Sequence, residues 1–439
     1  MASTKISRTF SSAGNMNKWT ISLWLKRAKV GVEQIIASCY ENSNYQTQIK
    51  FDSSDQLYFN DENNGNTNGR IVSNAKYRDT NGFYHLVFIW DKDNSTSGDK
   101  LRMYVNGSRI TSFSDTGNAP STSSTWNASN TTQQFGAKAT SDYFDGIMSH
   151  IHFCDGYAYE PTEFGETDST TGEWKIKTSP SVSYGTNGYF WLKDNVATTD
   201  NSPNSNTFTA SGTLTKTEDC PSNSFTKFNG TFNLSDIVLS SGGTETFNSN
   251  SNWKYVPTTL GVSSGKYYCE YKININGGYI MLGVCDMQYA TSQDQNSYTN
   301  VGYGTGGVGL YHNGEKYIEG SNATYATSYT TNDIVSIALD MDNNKVYFAK
   351  NGDWATGSGA WGSSTFNSST GAITLPTTGG TYAFASSIRS SASIKANFGN
   401  GYFGTSQISS EGTNASGIGK FEYDVPTGYT ALCTKGLNE

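Results

Sequence analysis

Apolar residues recur along this chain with a period of two. Trp19-Thr-Ile-Ser-Leu-Trp-Leu-Lys places Trp19, Ile21, Leu23 and Leu25 on one face, the pattern of a half-buried strand. Trp24 falls on the opposite face, so both sides of that strand are expected to be covered. Phe83-Tyr-His-Leu-Val-Phe-Ile-Trp90 is a continuous apolar run, as in the centre of a sandwich. Leu101-Arg-Met-Tyr-Val-Asn-Gly-Ser-Arg-Ile110 alternates again around Asn106-Gly107, a pair that accepts positive φ in a type I′ hairpin turn. Phe144–Phe153 closes this first group. Further along, Lys266-Tyr-Tyr-Cys-Glu-Tyr271, Tyr279–Cys285, Asp333–Asp340, Lys345–Lys350 and Ser393–Asn397 form a second group, punctuated by Asn343-Asn344 and Asn351-Gly352. No segment carries a 3.6-residue apolar period of helical length. The pattern predicts an all-β protein of two antiparallel, jelly-roll-like β-sandwiches in series.

The predicted boundaries are 1–165 for the first sandwich, 166–252 for a polar connector, 253–403 for the second sandwich and 404–439 for a C-terminal extension. The connector carries Pro180, Pro203 and Pro221 among Ser, Thr and Asn. It is expected to pack on its neighbours, because Trp174 and Trp191 need burial. The two sandwiches show similar punctuation but no residue-level repeat.

Composition agrees with short strands and many turns. Among 439 residues the hydrophobic fraction is 35% and the charged fraction 15%, while aromatics reach 13%, enough to build a core in a chain poor in Leu. The formal net charge is -8 and the basic residues are scattered, which argues against a nucleic-acid partner. No apolar run is long enough to cross a bilayer as a helix, so no membrane insertion is expected. The opening Met1-Ala-Ser-Thr-Lys-Ile-Ser-Arg lacks the apolar core of a secretory signal, which leads to the expectation of assembly in a cytoplasm. Six widely spaced cysteines form no C-x-x-C pair, and buried free thiols are the favoured reading.

These landmarks carry a family resemblance. The first sandwich resembles the concanavalin A-like, laminin-G type through Trp19-Thr-Ile-Ser-Leu-Trp-Leu, Phe83-Tyr-His-Leu-Val, Met103-Tyr-Val-Asn-Gly and Tyr143-Phe-Asp-Gly-Ile-Met-Ser. The second resembles a SPRY domain through Gly265-Lys-Tyr-Tyr-Cys-Glu, Leu339-Asp-Met-Asp-Asn-Asn-Lys-Val-Tyr-Phe, Lys350-Asn-Gly and Asn397-Phe-Gly. The order of the two, with Ser7-Arg-Thr-Phe-Ser-Ser-Ala-Gly-Asn, Ile151-His-Phe-Cys-Asp-Gly, Phe164-Gly-Glu and Val425-Pro-Thr-Gly-Tyr-Thr-Ala-Leu-Cys-Thr-Lys, resembles marine bacteriophage structural proteins. Cys154 departs from the aliphatic residue common there, which favours a buried thiol. The resemblance implies a tail-fibre, capsid-fibre or similar place on the exterior of a virion.

Enzymatic chemistry finds little support in the residues. Retaining glycan hydrolysis needs two carboxyl groups about 5–5.5 Å apart, and the nearest strand pair, Asp340 and Asp342, lies at a strand end beside a tight turn. Asp340-Met-Asp-Asn-Asn344 also fails as a calcium loop, since Lys345 and Asn351 stand where Gly and Glu are required. A structural calcium near Asp91, Asp93 and Asp99 is the stronger metal candidate, although a solvated loop is favoured over it. His150 and His152 have zinc-like spacing, but a third ligand would have to come from His85, His312 or a cysteine, and ordinary packing is favoured. Gly302-Tyr-Gly-Thr-Gly-Gly-Val-Gly309 precedes a hairpin where a dinucleotide site needs a helix. No catalytic residues and no cofactor are therefore expected.

Binding is the chemistry that remains. Tyr303, Tyr311, Trp354 and Trp361 lie in glycine-rich parts of the second sandwich, where exposed rings could stack on sugars. The competing reading is that they close the sandwich ends or pack on a neighbouring subunit. The expected function is a virion surface or tail appendage that adheres to host-cell glycans or proteins, contacts other virion proteins and forms a homo-oligomer. The alternative is a decoration or adaptor protein that only cements virion subunits, and a glycan depolymerase ranks last.

Overall fold

The computed structural model describes residues 4–194, 198–232, 237–290 and 300–438, leaving Met1–Ser3 of the opening segment outside the described residues. The chain is nearly all β and divides into two compact units. The first comprises Met1–Lys216 with Cys220–Ser222, and the second comprises Thr217–Asp219 with Asn223–Glu439. The residues expected as a connector are thus shared out between the units. Trp191 and Phe208 join the first core, while Phe228 and Leu239 join the second.

In the first unit an eight-stranded sheet and a six-stranded sheet enclose one core. The six-stranded sheet runs Tyr189–Trp191, Gly146–Asp155, Lys18–Arg27, Tyr84–Asp91, Leu101–Val105, Ser108–Arg109, and each neighbouring pair is antiparallel. The alternating face of Lys18–Arg27 points inward. Trp19 stacks on Trp90 with ring centroids 6.1 Å apart, and Phe59 and Trp126 pack on it from the side. The hairpin at Asn106-Gly107 forms with φ of 48° and 78°, the left-handed values that an Asn-Gly turn tolerates.

The outer face of that sheet is covered too. Trp24 is buried and stacks on His85 at 4.8 Å, and Trp174 stacks on the same imidazole at 5.9 Å. Trp174 comes from a hairpin of Gly165–Thr167 and Trp174–Ile176 and lies over Gly107 and Gly165. A Cβ at Gly107 would stand 2.6 Å from the indole, so glycine is what lets the ring settle.

The second unit repeats the sandwich plan with its own strand order. One sheet runs Ile237–Ser240, Glu245–Asn248, Ala392–Asn397, Lys266–Ile275, Ile334–Asp340, Lys345–Lys350, Asp353–Trp354. The other runs Lys254–Pro257, Tyr382–Ile388, Ile280–Asp286, Gly307–Tyr311, Glu315–Ile318, Ser321–Thr324. Their inner faces share a core that includes Tyr271, Leu282, Ile337, Phe348 and Phe384.

The C-terminal extension forms a third layer on the first of these sheets. Thr430–Ala431 pairs in parallel with Lys266–Ile275, and Phe421, Val425 and Tyr429 cover Tyr268, Tyr347 and Trp354. A fully buried carboxylate clasps it. Glu270 accepts the backbone N–H of Tyr423 at 2.8 Å and of Glu422 at 2.9 Å, together with the Tyr268 hydroxyl and Asn397 Nδ2, each at 3.2 Å. All six cysteines are free thiols. Five are buried and Cys220 is half-buried.

Candidate binding surface

The predicted binding residues lie on the second unit, and the outer face of its six-stranded sheet brings two of them together. Along Ile280–Asp286, Ile280, Leu282 and Val284 enter the core, so Met281, Gly283 and Cys285 face outward. Neighbouring strands add Gly309, Ala383 and Ala385 to that face. This floor of small side chains lets the segment Asn300–Gly306 lie against the sheet. Val301 N–H donates to Ser387 Oγ at 2.8 Å, and a Cβ at Gly302 would stand 2.5 Å from Tyr317 Cβ.

Tyr303 emerges from this segment 51% exposed and begins a row of rings. It stacks on Tyr317 at 6.0 Å, which meets Tyr311 edge-on at 6.0 Å. Tyr311 in turn meets Trp253 at 6.0 Å, and Trp253 meets Tyr279 at 6.2 Å. The row ends on Arg389, whose guanidinium lies 3.6 Å from the Tyr279 centroid and 5.2 Å from that of Trp253. Tyr311 is anchored by a hydrogen bond from its hydroxyl to the Gly278 carbonyl at 3.0 Å. Burial raises the Tyr311 and Tyr317 phenols above the ordinary range, so both are neutral donors.

The other two predicted residues sit elsewhere. Trp354 is only 8% exposed, contrary to the expected exposed loop ring. Phe366 packs on it at 4.8 Å and Tyr268 at 6.5 Å, in a cluster that the extension completes with Phe421, Val425 and Tyr429. Trp361 is half-buried, donates its indole N–H to the Thr327 carbonyl at 3.0 Å and carries Lys350 over its face. Tyr317, Trp253, Tyr279 and Arg389 escaped the sequence reading. The period-two position of Tyr317 in Glu315–Ile318 was the available signal, whereas Trp253 and Arg389 arrive from distant strands.

The metal candidates do not assemble. Asp91 pairs with Lys18 at 3.4 Å, Asp93 with Lys92 at 2.6 Å and Asp99 with Arg109 at 2.6 Å, so each carboxylate faces its own cation instead of a shared centre. Among the described residues no group of three His, Cys, Asp or Glu could hold a metal ion. His150 sits at a bulge with φ of 49° and bonds Ser149 Oγ, while His152 bonds the Tyr184 hydroxyl and stacks on Phe190 at 3.9 Å. Asp340 and Asp342 serve the turn. Asp340 accepts from Asn343 and pairs with Lys266, and Asp342 accepts the Gly265 N–H.

The first unit also holds a buried Ser–His contact. His85 Nε2 lies 2.9 Å from Ser22 Oγ, and its Nδ1 lies 2.9 Å from Trp174 Nε1. An indole N–H only donates, so Nδ1 must accept and the ring proton resides on Nε2. The imidazole therefore donates to Ser22 and leaves the hydroxyl unactivated. Burial holds His85 at a pKa of about 3, which keeps it neutral.

Residues 4–163 match the family described as the concanavalin A-like lectin/glucanases superfamily, and residues 266–399 match the SPRY domain. The chain carries a concanavalin A-like domain and a SPRY domain in series. The SPRY domain of human HERC1 is similar at 16% identity and a TM-score of 0.27, with 37% of this chain and 92% of that one covered. A heptameric SAP-like pentraxin from Limulus polyphemus is similar at 16% identity and a TM-score of 0.28, covering 36% of this chain and 72% of that one. No curated protein sequence matches the chain. The row of rings belongs to the SPRY domain and its flank, since Trp253 precedes residue 266 and the remaining members fall within the match.

Proposed function

We propose that this chain is a non-enzymatic protein of a virion exterior that adheres to host-cell glycans or proteins through the ring row of its SPRY domain. The observation that carries the binding role is Tyr303, 51% exposed and stacked on Tyr317 at the head of that row. Its outward face is free to meet a sugar ring or an apolar side chain, and the neighbouring phenol oxygens, whose protons go to Gly278 and Glu315, keep lone pairs that can accept from a hydroxyl. The concanavalin A-like and SPRY matches support a binding role. The unactivated Ser22 supports the absence of acyl-transfer chemistry. The virion assignment rests on the resemblance of the opening, middle and closing segments to marine bacteriophage structural proteins. Repeated copies would turn weak individual sites into firm attachment.

Two measurements test this reading. The full chain, displayed in many copies on beads, should bind host envelopes, and Tyr303→Ala should reduce that binding severalfold. Failure of the beads to bind any host envelope would remove the adhesion role. Immunogold imaging of intact particles should place the protein distally on the surface. A position buried between other subunits would favour a cementing protein instead.

A further inference from the structure

We infer that the ring row takes an acidic saccharide, a uronate-bearing polymer whose carboxylate is received by Arg389. The inference rests on the adhesion reading above and narrows its ligand class. Of the seven arginines in the chain, six give guanidinium N–H groups to a protein acceptor. Arg27 and Arg78 reach Asp55, Arg70 reaches Asp115, Arg102 reaches Glu160, Arg109 reaches Asp99 and Arg8 reaches the Thr207 carbonyl.

Arg389 is the exception among the described residues. It is held by the faces of Tyr279 and Trp253, and its side chain makes no hydrogen bond or ion pair. A guanidinium laid over a ring has its orientation fixed without using its N–H groups; Arg389 Nε is buried, and the two terminal NH2 groups are left to fork onto a planar oxyanion. Glu315, the acidic residue of the adjacent strand, is occupied by Asn313 Nδ2 at 3.0 Å and the Tyr317 hydroxyl at 3.4 Å. An unpaired arginine on a protein of net charge -8 is not part of a general basic surface. Its charge is local, and so is the anion it suits.

The rings decide what carries that anion. Five aromatic side chains, each about 6 Å from the next, lead away from the guanidinium. A polymer of sugar rings offers repeated C–H faces to such a row and places a carboxylate at intervals along it. An acidic peptide has charge but no repeated flat faces.

The experiment measures binding of the full chain to polygalacturonate, to the same polymer with its carboxyl groups reduced, and to polyglutamate. The wild-type chain should bind polygalacturonate at least tenfold more tightly than the reduced polymer or polyglutamate. Arg389→Gln should weaken polygalacturonate binding about ten- to a hundredfold, the worth of a charged hydrogen-bonded pair, and Arg389→Lys should fall between. The comparison of polymers needs no variant, so a folding defect in Arg389→Gln leaves the test intact. Equal binding of acidic and reduced polymer, insensitive to Arg389→Gln, would overturn the carboxylate assignment while the adhesion reading stands. Equal binding of polyglutamate would overturn the saccharide assignment. Binding of no polymer would overturn the inference, and the bead assay on host envelopes then shows separately whether adhesion survives.

Discussion

Glu270 offers the sharpest test of how the second unit holds its outer layer. It is fully buried, and four donors converge on it, two of them backbone N–H groups of the C-terminal extension. Burial outweighs those donors and raises its pKa from 4.5 to about 7. The protonated form also has a place for its O–H, because the Tyr268 hydroxyl can accept it and donate onward to Ser336 Oγ, 2.9 Å away. The folded state thus holds this proton more tightly than the unfolded chain. The associated stability is fully present below about pH 4.5 and is lost as pH rises through about 7. That interval corresponds to about 3 kcal/mol. Glu270→Gln removes the titration and turns an amide NH2 toward donors, at a cost of about 1–3 kcal/mol per opposed donor. The variant should therefore be less stable than wild type at pH 5, with the two curves converging toward pH 8. Urea unfolding across pH 5–8 measures the difference, in which the other titrating groups cancel. Amide exchange at Glu422 and Tyr423, compared at matched pH, should accelerate in the variant. Parallel stability curves with unchanged exchange would refute the reasoning.

Two further outcomes follow from packing. Gly283→Ala would place a Cβ 1.9 Å from the Val308 carbonyl oxygen on the paired strand, where backbone cannot yield, so it should destabilise the second unit by about 3 kcal/mol in urea unfolding; a loss under 1 kcal/mol would contradict that account. Under native conditions an aromatic disulfide reagent should label one thiol quickly, the half-buried Cys220, and reach all six after denaturation. Rapid labelling of two or more would mean that the cores open more readily than their burial implies.

Much of the architecture was readable because its causes are local. Period-two runs identified Lys18–Arg27 and its neighbours, and Asn106-Gly107 and Asn351-Gly352 turn where their tolerance of positive φ suggested. Trp24, off the main face, correctly signalled a strand covered on both sides. The third layer of the second unit was not readable. Glycine-rich surroundings made Trp354 look exposed, whereas its cover comes from Phe366 and from the extension beyond residue 404. Glu270 gave no sign of its role, since its principal donors are backbone amides some 150 positions away. The ring row was half visible. Tyr303 and Tyr311 stand in one glycine-rich stretch, but Trp253, Tyr279 and Arg389 reach the same surface only through strand order.

The glycine and alanine floor beneath Tyr303 separates two kinds of mutational freedom. Gly283, Gly302 and Gly309 are held by backbone and side-chain contacts that admit no Cβ without displacement, so this layer resists drift. Tyr303 itself stands half in solvent, and among the described residues its ring contact is with the face of Tyr317. Replacing it changes what the surface meets while the scaffold keeps its shape. A chain built this way can change what that surface meets one exposed residue at a time, without crossing a folding barrier at each step.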